Sequence, residues 1–209
     1  MFGIDSKLYE FLSKIADLII VNLLFIICSL PIVTIGASTT ALYGVTKKMA
    51  SNSEGYIFRS YFKLFKENFK QSTIMWIILL VLSLIPTADL YIINYMPKGL
   101  LPTVLRGFML AAALAILFVF LYAMALQSTF ENTVKNTLKN APLSINFIMG
   151  IGHFPWTLLI VAITLLPIIL LVTLGSAASS VIYVMSFVGF SVLAYLNSFI
   201  FNRIFKKYM

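Results

Sequence analysis

Apolar residues along the chain form five long segments, each with at most one charged residue. An α-helix rises about 1.5 Å per residue, so roughly 20 apolar residues cross a hydrocarbon core of about 30 Å. The pattern predicts an all-α integral membrane protein, a bundle of five transmembrane helices in one domain over residues 1–209. The predicted spans are Leu18–Ile35, which can extend to Tyr43, Thr73–Ile93, Gly107–Leu126, Phe154–Leu174 and Ser180–Phe201.

The polar segment between the first two spans has helical periodicity. Four phenylalanines recur at intervals of three or four, and four basic residues repeat these intervals one position later. On a helix over about residues 56–71 they form neighbouring aromatic and basic stripes, typical of an amphipathic helix in the cytoplasmic membrane interface. This helix would anchor the protein to lipid or offer a docking surface to a partner. The stripe residues are Phe58, Arg59, Phe62, Lys63, Phe65, Lys66, Phe69 and Lys70.

Small residues are concentrated after Pro31. Gly36, Thr40 and Gly44 recur every fourth residue, and this spacing lets a second helix backbone approach closely. The pattern predicts a helix-packing surface, either inside the bundle or against a partner protein. A role in lining a substrate path is the remaining alternative. Pro31 itself could break the first span into a re-entrant element.

Composition supports a membrane environment. Hydrophobic residues make up 61% of the chain and charged residues 11%, whereas soluble domains carry about a quarter charged residues. The net charge of +8 indicates loops that face anionic lipid, and no nucleic-acid site is predicted. The lone Cys28 excludes an internal disulfide. Leu18–Ile35 is too long for a signal-peptide core, so we expect a retained helix.

The lysines and arginines predict an orientation. With five spans, eleven of these residues lie on one side and four on the other. Because cytoplasmic loops carry the excess of positive charge, the N-terminus is expected outside and the C-terminus in the cytoplasm. A re-entrant element at Pro31 would reverse the N-terminal half.

Few polar groups lie within the spans. Asp89 lies near the outer end of the second span, and Arg106 opens the third span on the same side and could pair with it, while His153 opens the fourth span on the other side. Asn22 and Asn197 are surrounded by apolar residues, where hydrogen bonds between helices would satisfy them. No catalytic or nucleotide-binding motif is present, so we predict no enzyme, no cofactor and no metal site.

A faint internal repeat is visible. Trp76 to Pro86 in the second span resembles Trp156 to Pro167 in the fourth, and each follows a polar segment that contains lysine. Internal repeats of this kind occur in transporters. Duplication and chance similarity both stay open.

Several motifs within residues 22–76 occur together in a known family. They are Asn22, Pro31-Ile-Val-Thr-Ile-Gly-Ala-Ser-Thr-Thr-Ala-Leu-Tyr43, Gly55, Phe62, Phe65-Lys-Glu-Asn-Phe-Lys-Gln71 and Trp76. With these motifs the chain resembles, over essentially its whole length, the YesL-like bacterial membrane proteins. The resemblance implies about five helices, the bacterial cell membrane, and genes that are often neighbours of ABC-type carbohydrate importers.

The resemblance implies an association with an ABC-type oligosaccharide importer, and with the candidate surfaces above it favours a non-catalytic accessory membrane subunit with the permease subunits as its partner. Its role would be to assist assembly, stability or activity of the importer. Two alternatives stay open. One is an independent small transporter or channel, and the other is a membrane-bound regulatory or assembly factor.

Overall fold

The computed structural model describes residues 7–129, 154–175 and 178–206, and in these residues it contains helices and no strand. A 3₁₀ turn, Ile32–Thr34, separates the first two helices, and a π-helical turn, Met185–Gly189, separates the last two. The helices are α1 Lys7–Ser29, α2 Ile35–Ala50, α3 Ile57–Ile93, α4 Leu100–Gln127, α5 Phe154–Thr173, α6 Ala178–Val184 and α7 Phe190–Phe205.

Five helical segments are long and apolar enough to cross a membrane. They lie in α1, α3, α4, α5 and the continuous run from α6 to α7. This confirms the prediction of an all-α multi-pass membrane protein. The 16-residue α2 is not among the five segments.

Pro31 divides the first predicted span. Proline has no backbone N–H to continue the helix, so α1 ends at Ser29 and the chain turns before α2 begins. The Thr34 hydroxyl closes this turn by donating to the Cys28 carbonyl at 2.6 Å. At the far end of the pair, Lys14 Nζ donates to Asn52 Oδ1 at 2.6 Å. The two helices therefore form an antiparallel hairpin.

Helix α2 is the centre of the bundle. Thirteen of its 16 residues are buried, and it packs against α1, α3, α4 and α7. Its sequence is rich in glycine, alanine, serine and threonine, which let neighbouring backbones approach from several sides. A helix that is surrounded in this way needs small side chains all round its circumference.

The C-terminal ends of α2, α4 and α7 lie together at one end of the bundle, which we call the Lys47 end. Lys47 lies in the last turn of α2, with its Nζ 3.3 Å from the Ala125 carbonyl of α4 and 4.7 Å from the Phe205 ring centre of α7. Because α1 is antiparallel to α2, the start of α1 lies at this end too. The start of α1 and the end of α7 therefore lie at the same end of the bundle. The predicted five-span topology expected opposite sides, and the orientation of the termini across a membrane stays a prediction.

Helix α3 differs from the prediction in its length. The predicted interfacial helix and the second span form one continuous 37-residue helix, about 55 Å long. The segment over residues 56–71 is therefore helical, as expected, but it is not a separate element. It packs beside α2, and Trp76 Nε1 donates to the Ile32 carbonyl at the hairpin turn at 2.7 Å.

The π-helical turn is held by Asn22 of α1. The Asn22 side-chain amide donates to the carbonyls of Met185 and Ser186 at 3.1 and 2.9 Å, and Ser191 N–H donates back to Asn22 Oδ1 at 3.1 Å. Asn22 is fully buried. A π-helical turn breaks the regular hydrogen-bond ladder, and one carboxamide here pairs three of the backbone groups around it.

The two segments of the predicted repeat have different surroundings. Trp76 donates to the hairpin turn, whereas the Trp156 ring lies 4.8 Å from the Arg203 guanidinium. Pro86 and Pro167 both lie inside helices, as the sequence comparison expected. Duplication stays a prediction.

Candidate functional site

One side of α3 anchors it to the rest of the bundle. Ile57, Tyr61, Asn68, Ser72 and Met75 are buried and follow one another at helical spacing. Tyr61 Oη donates to the Ser38 carbonyl of α2 at 3.3 Å, and Asn68 accepts a hydrogen bond from Gln127 of α4 at 3.1 Å. This buried side fixes the rotation of the helix about its own axis.

The predicted aromatic stripe lies partly in the packed region and partly outside it. Phe62 and Phe65 are half-buried against the core, whereas Phe58 is 63% exposed and Phe69 is 41% exposed. The Phe58 and Phe62 ring centres are 4.8 Å apart, and those of Phe65 and Phe69 are 5.5 Å apart. Each exposed ring therefore rests on a half-buried one.

The predicted basic stripe is exposed along its whole length. Lys63 has one acidic neighbour, Glu67, with 3.9 Å between Nζ and Oε1, and both side chains are largely exposed. An exposed pair of this kind contributes little energy, so the positive charge of Lys63 stays available. We call the exposed aromatic and basic residues the α3 face. It consists of Phe58, Arg59, Lys63, Lys66, Phe69 and Lys70.

A shallow groove runs along the start of this face, between aromatic and basic side chains. It is lined by Phe58, Arg59, Phe62, Lys63 and Lys66. A second shallow groove, which Phe58 also lines, includes residues of α1 and of the loop before α3, among them Asp17, Ile20 and Tyr56. Phe58 therefore lines both grooves, one with three basic residues and one with an acidic residue.

The predicted small-residue surface lies inside the bundle. A Cβ added to Gly36 would lie 2.6 Å from Trp76 Cβ and would also meet the Ser72 carbonyl oxygen. The Thr40 and Ser72 hydroxyls are 2.8 Å apart. A Cβ on Gly44 would meet Leu64 Cδ1 at 2.7 Å. Of the alternatives, internal helix packing is therefore the one that the structure contains, and these residues are not accessible to a partner protein.

Lys47 is the one buried charged side chain among the described residues, and the sequence analysis missed it. Its Nζ donates to the Ala125 carbonyl and to the hydroxyls of Ser128 and Thr129, all at the end of α4. Burial lowers the pKa of Lys47 from its usual value near 10.5 to about 7. In the sequence, Lys47 and Lys48 look alike, and only the packing distinguishes them.

Two further predictions can be compared with the structure. Asn197 donates to Thr164 Oγ1 at 3.1 Å, a hydrogen bond between α7 and α5 of the predicted kind. Arg106 donates to Asn94 Oδ1 at 3.2 Å instead of pairing with Asp89. His153 lies outside the described residues. In the described part of the chain, no three His, Cys, Asp or Glu side chains gather as metal ligands would.

The fold defines an all-α multi-pass membrane protein built around a central helical hairpin. Residues 18–90 match the family described as "Protein of unknown function, DUF624". The match confirms the predicted family resemblance over this segment, which contains the second half of α1, all of α2 and nearly all of α3. No curated protein and no solved structure matches the chain.

Proposed function

We propose that this protein is a non-catalytic accessory membrane subunit that binds the permease of an ABC-type oligosaccharide importer. Its role is to assist the assembly, stability or activity of that importer. The observation that carries the proposal is the α3 face, an exposed basic and aromatic surface on a helix that continues directly into a membrane span. The importer as partner rests on the family resemblance.

The start of the α3 face lies at the Lys47 end of the bundle. The first part of α3 packs beside the α1–α2 hairpin, and Trp76 donates a hydrogen bond to the turn of that hairpin. Arg59 lies about 25 Å along the helix before Trp76. The basic residues at the start of the face are therefore far from the hairpin turn, where an acidic surface of a neighbouring protein can meet them.

The buried side of α3 makes this surface ready for binding. Tyr61 and Asn68 hold the helix against α2 and α4, so its exposed side chains keep a fixed spacing. A surface that is already ordered loses less conformational entropy on binding than a mobile loop does. The cations then supply attraction to an acidic partner, and the rings supply apolar area.

The Lys47 end is proposed to face the cytoplasm. Positive residues are concentrated there, and the positive-inside rule assigns such an end to the cytoplasmic side of the cell membrane. The start of α1 and the end of α7 are then both cytoplasmic. Among the described side chains, those towards the Lys47 end are Lys14, Lys47, Lys48, Arg59, Lys63, Lys66, Arg203 and Lys206, and those at the opposite end are Lys98 and Arg106.

Cysteine labelling in intact cells tests this orientation. In a Cys28→Ser background, a membrane-impermeant maleimide is expected to label Lys98→Cys, while Leu8→Cys and Lys206→Cys react only after the cells are permeabilised. All three positions are exposed in the structure. Labelling of Leu8→Cys in intact cells, with Lys206→Cys protected, would restore the five-span topology and contradict the hairpin.

Co-purification tests the partner and the face together. From cells grown on the transported sugar, tagged wild-type protein in mild detergent is expected to retain the permease subunits. Arg59→Glu combined with Lys63→Glu should lower the retained permease at least about tenfold, since like charges across an interface cost several kcal/mol. The matched control is Lys98→Glu combined with Arg106→Glu, which makes the same change in charge at the opposite end and should retain the permease.

The outcomes of this experiment distinguish a wrong partner from a wrong binding surface. If the wild type retains no permease, the proposed function is wrong. If the wild type and the Arg59→Glu, Lys63→Glu variant retain it equally, the partner is right and the α3 face is not the binding surface. Retention of a sensor kinase in place of the permease would favour the regulatory alternative.

A further inference from the structure

Two shallow grooves of opposite charge adjoin each other at the start of α3. The acidic groove is lined by Asp17 of α1 and by Tyr56, and the basic groove by Arg59 and Lys63. Phe58 lines both grooves, and its side chain is 63% exposed. One exposed aromatic ring is therefore the apolar centre of a surface that is acidic in one part and basic in another.

The helical geometry of α3 gives the order of the charges across this surface. Successive residues of an α-helix are about 100° apart, so Arg59 and Lys63 lie on one side of Phe58 and the buried Ile57 lies on the other. Ile57 lines the acidic groove together with Asp17. The order across the surface is therefore the carboxylate, the Phe58 ring and then the two cations.

Each groove has a further charged neighbour. Glu54 belongs to the loop before α3, and its charge acts on the Asp17 carboxylate. Lys66 is the third cation of the basic groove. The hydrogen bond from Lys14 to Asn52 holds the loop after α2 against α1. Two carboxylates and three cations thus lie on one surface, and packed elements fix their positions.

A two-fold axis is the symmetry that can use such a surface. In a two-fold contact both copies use the same patch, and each residue meets its counterpart reciprocally. Two copies in one bilayer have the same orientation, so the axis runs along the membrane normal. An axis of this kind beside Phe58 keeps every residue at its own depth and exchanges the two sides of the ring. The acidic groove of each copy then faces the basic groove of the other.

We propose that this surface binds a second copy of the chain, forming a two-fold dimer in which Asp17 and Glu54 of each copy pair with Arg59 and Lys63 of the other around the two Phe58 rings. Aromatic and arginine side chains are enriched at the centres of protein interfaces. The dimer does not depend on the proposed importer. Because the proposed permease contact also uses Arg59 and Lys63, the second copy and the permease exclude each other.

Charge exchange between two differently tagged copies tests the dimer, in mild detergent and from cells without the importer. One variant is Arg59→Glu with Lys63→Glu, and the other is Asp17→Lys with Glu54→Lys. Either reversal places like charges across the interface, so each variant alone should retain its tagged copy at least about tenfold less than the wild type does. When the two variants are co-expressed, every groove again faces its opposite charge, and they should retain each other as the wild type does.

The matched control is Lys98→Glu combined with Arg106→Glu, which reverses two charges at the opposite end and should retain its tagged copy fully. A wild-type protein with the mass of a monomer in native mass spectrometry would overturn the dimer, and this measurement needs no variant. Failure of the two folded variants to retain each other would overturn it as well. If Asp17→Lys with Glu54→Lys does not fold, Asp17→Asn with Glu54→Gln takes its place, and it should retain the Arg59→Glu, Lys63→Glu variant better than that variant retains itself.

Discussion

Replacing Gly36 with alanine is expected to lower the free energy of unfolding by about 3 kcal/mol. In an exposed helix this substitution would instead stabilise by up to about 1 kcal/mol, because alanine has the higher helix propensity. At Gly36 the added methyl group would meet the Ser72 carbonyl and, at 2.6 Å, Trp76 Cβ. Both atoms belong to or adjoin the α3 backbone, so the methyl can be accommodated only by moving α3 away from α2.

Alanine substitutions at two other glycines allow the loss of stability to be compared with the number of atoms that the added methyl group would meet. A Cβ on Gly107 would have no neighbouring atom within 4 Å, so Gly107→Ala is the control and should leave the stability unchanged or raise it by up to about 1 kcal/mol. A Cβ on Gly44 would meet Leu64 Cδ1, the flexible end of a side chain, so Gly44→Ala should have an intermediate effect. Unfolding in detergent, followed through the exposure of the Cys28 thiol, measures all three variants. A Gly36→Ala variant as stable as Gly107→Ala would show that the two helices do not pack this closely.

The second large effect is expected from Asn22→Leu. Leucine has the same number of side-chain heavy atoms and the same branching as asparagine, but it leaves the carbonyls of Met185 and Ser186 and the N–H of Ser191 without the Asn22 partner. A buried polar group left unpaired costs about 1–3 kcal/mol, so three of them predict a loss of about 3 kcal/mol or more. The substitution also removes the contact that holds the π-helical turn against α1.

The same unfolding experiment measures this variant, with Asn94→Leu as its control. Asn94 is exposed, and its side chain accepts a single hydrogen bond, from Arg106. We expect a change below about 0.5 kcal/mol for the control. Equal stability of the two variants would contradict the role assigned to Asn22.

The α3 face shows which part of the site could be predicted. Intervals of three and four residues placed the aromatic and basic residues in stripes, and the structure contains that helix and exposes its basic stripe. The periodicity could not show that the helix continues into the next span, because the polar segment and the apolar segment are each compatible with a separate helix. Continuity depends on the unbroken hydrogen bonds through residues 71–73 and on the packing of Tyr61 against α2.

Lys47 shows which part could not be predicted. Its neighbours in the sequence are Thr46 and Lys48, and nothing in this order distinguishes a buried lysine from an exposed one. The groups that bury it lie about 80 residues away in α4 and about 160 residues away in α7. A charge pattern read along the chain assigns both lysines to one polar loop.

By itself the sequence determined that the protein is helical and that it spans the membrane, because the length and hydrophobicity of a segment are local properties that hydrocarbon selects directly. It also determined which residues can form an amphipathic stripe. Tertiary structure decided that Pro31 turns α2 back into the centre of the bundle, that Gly36 is a packing contact and that Lys47 is buried. Those outcomes depend on which helix surfaces meet, and contacts between segments that are distant in the sequence produce no periodic pattern of residue types.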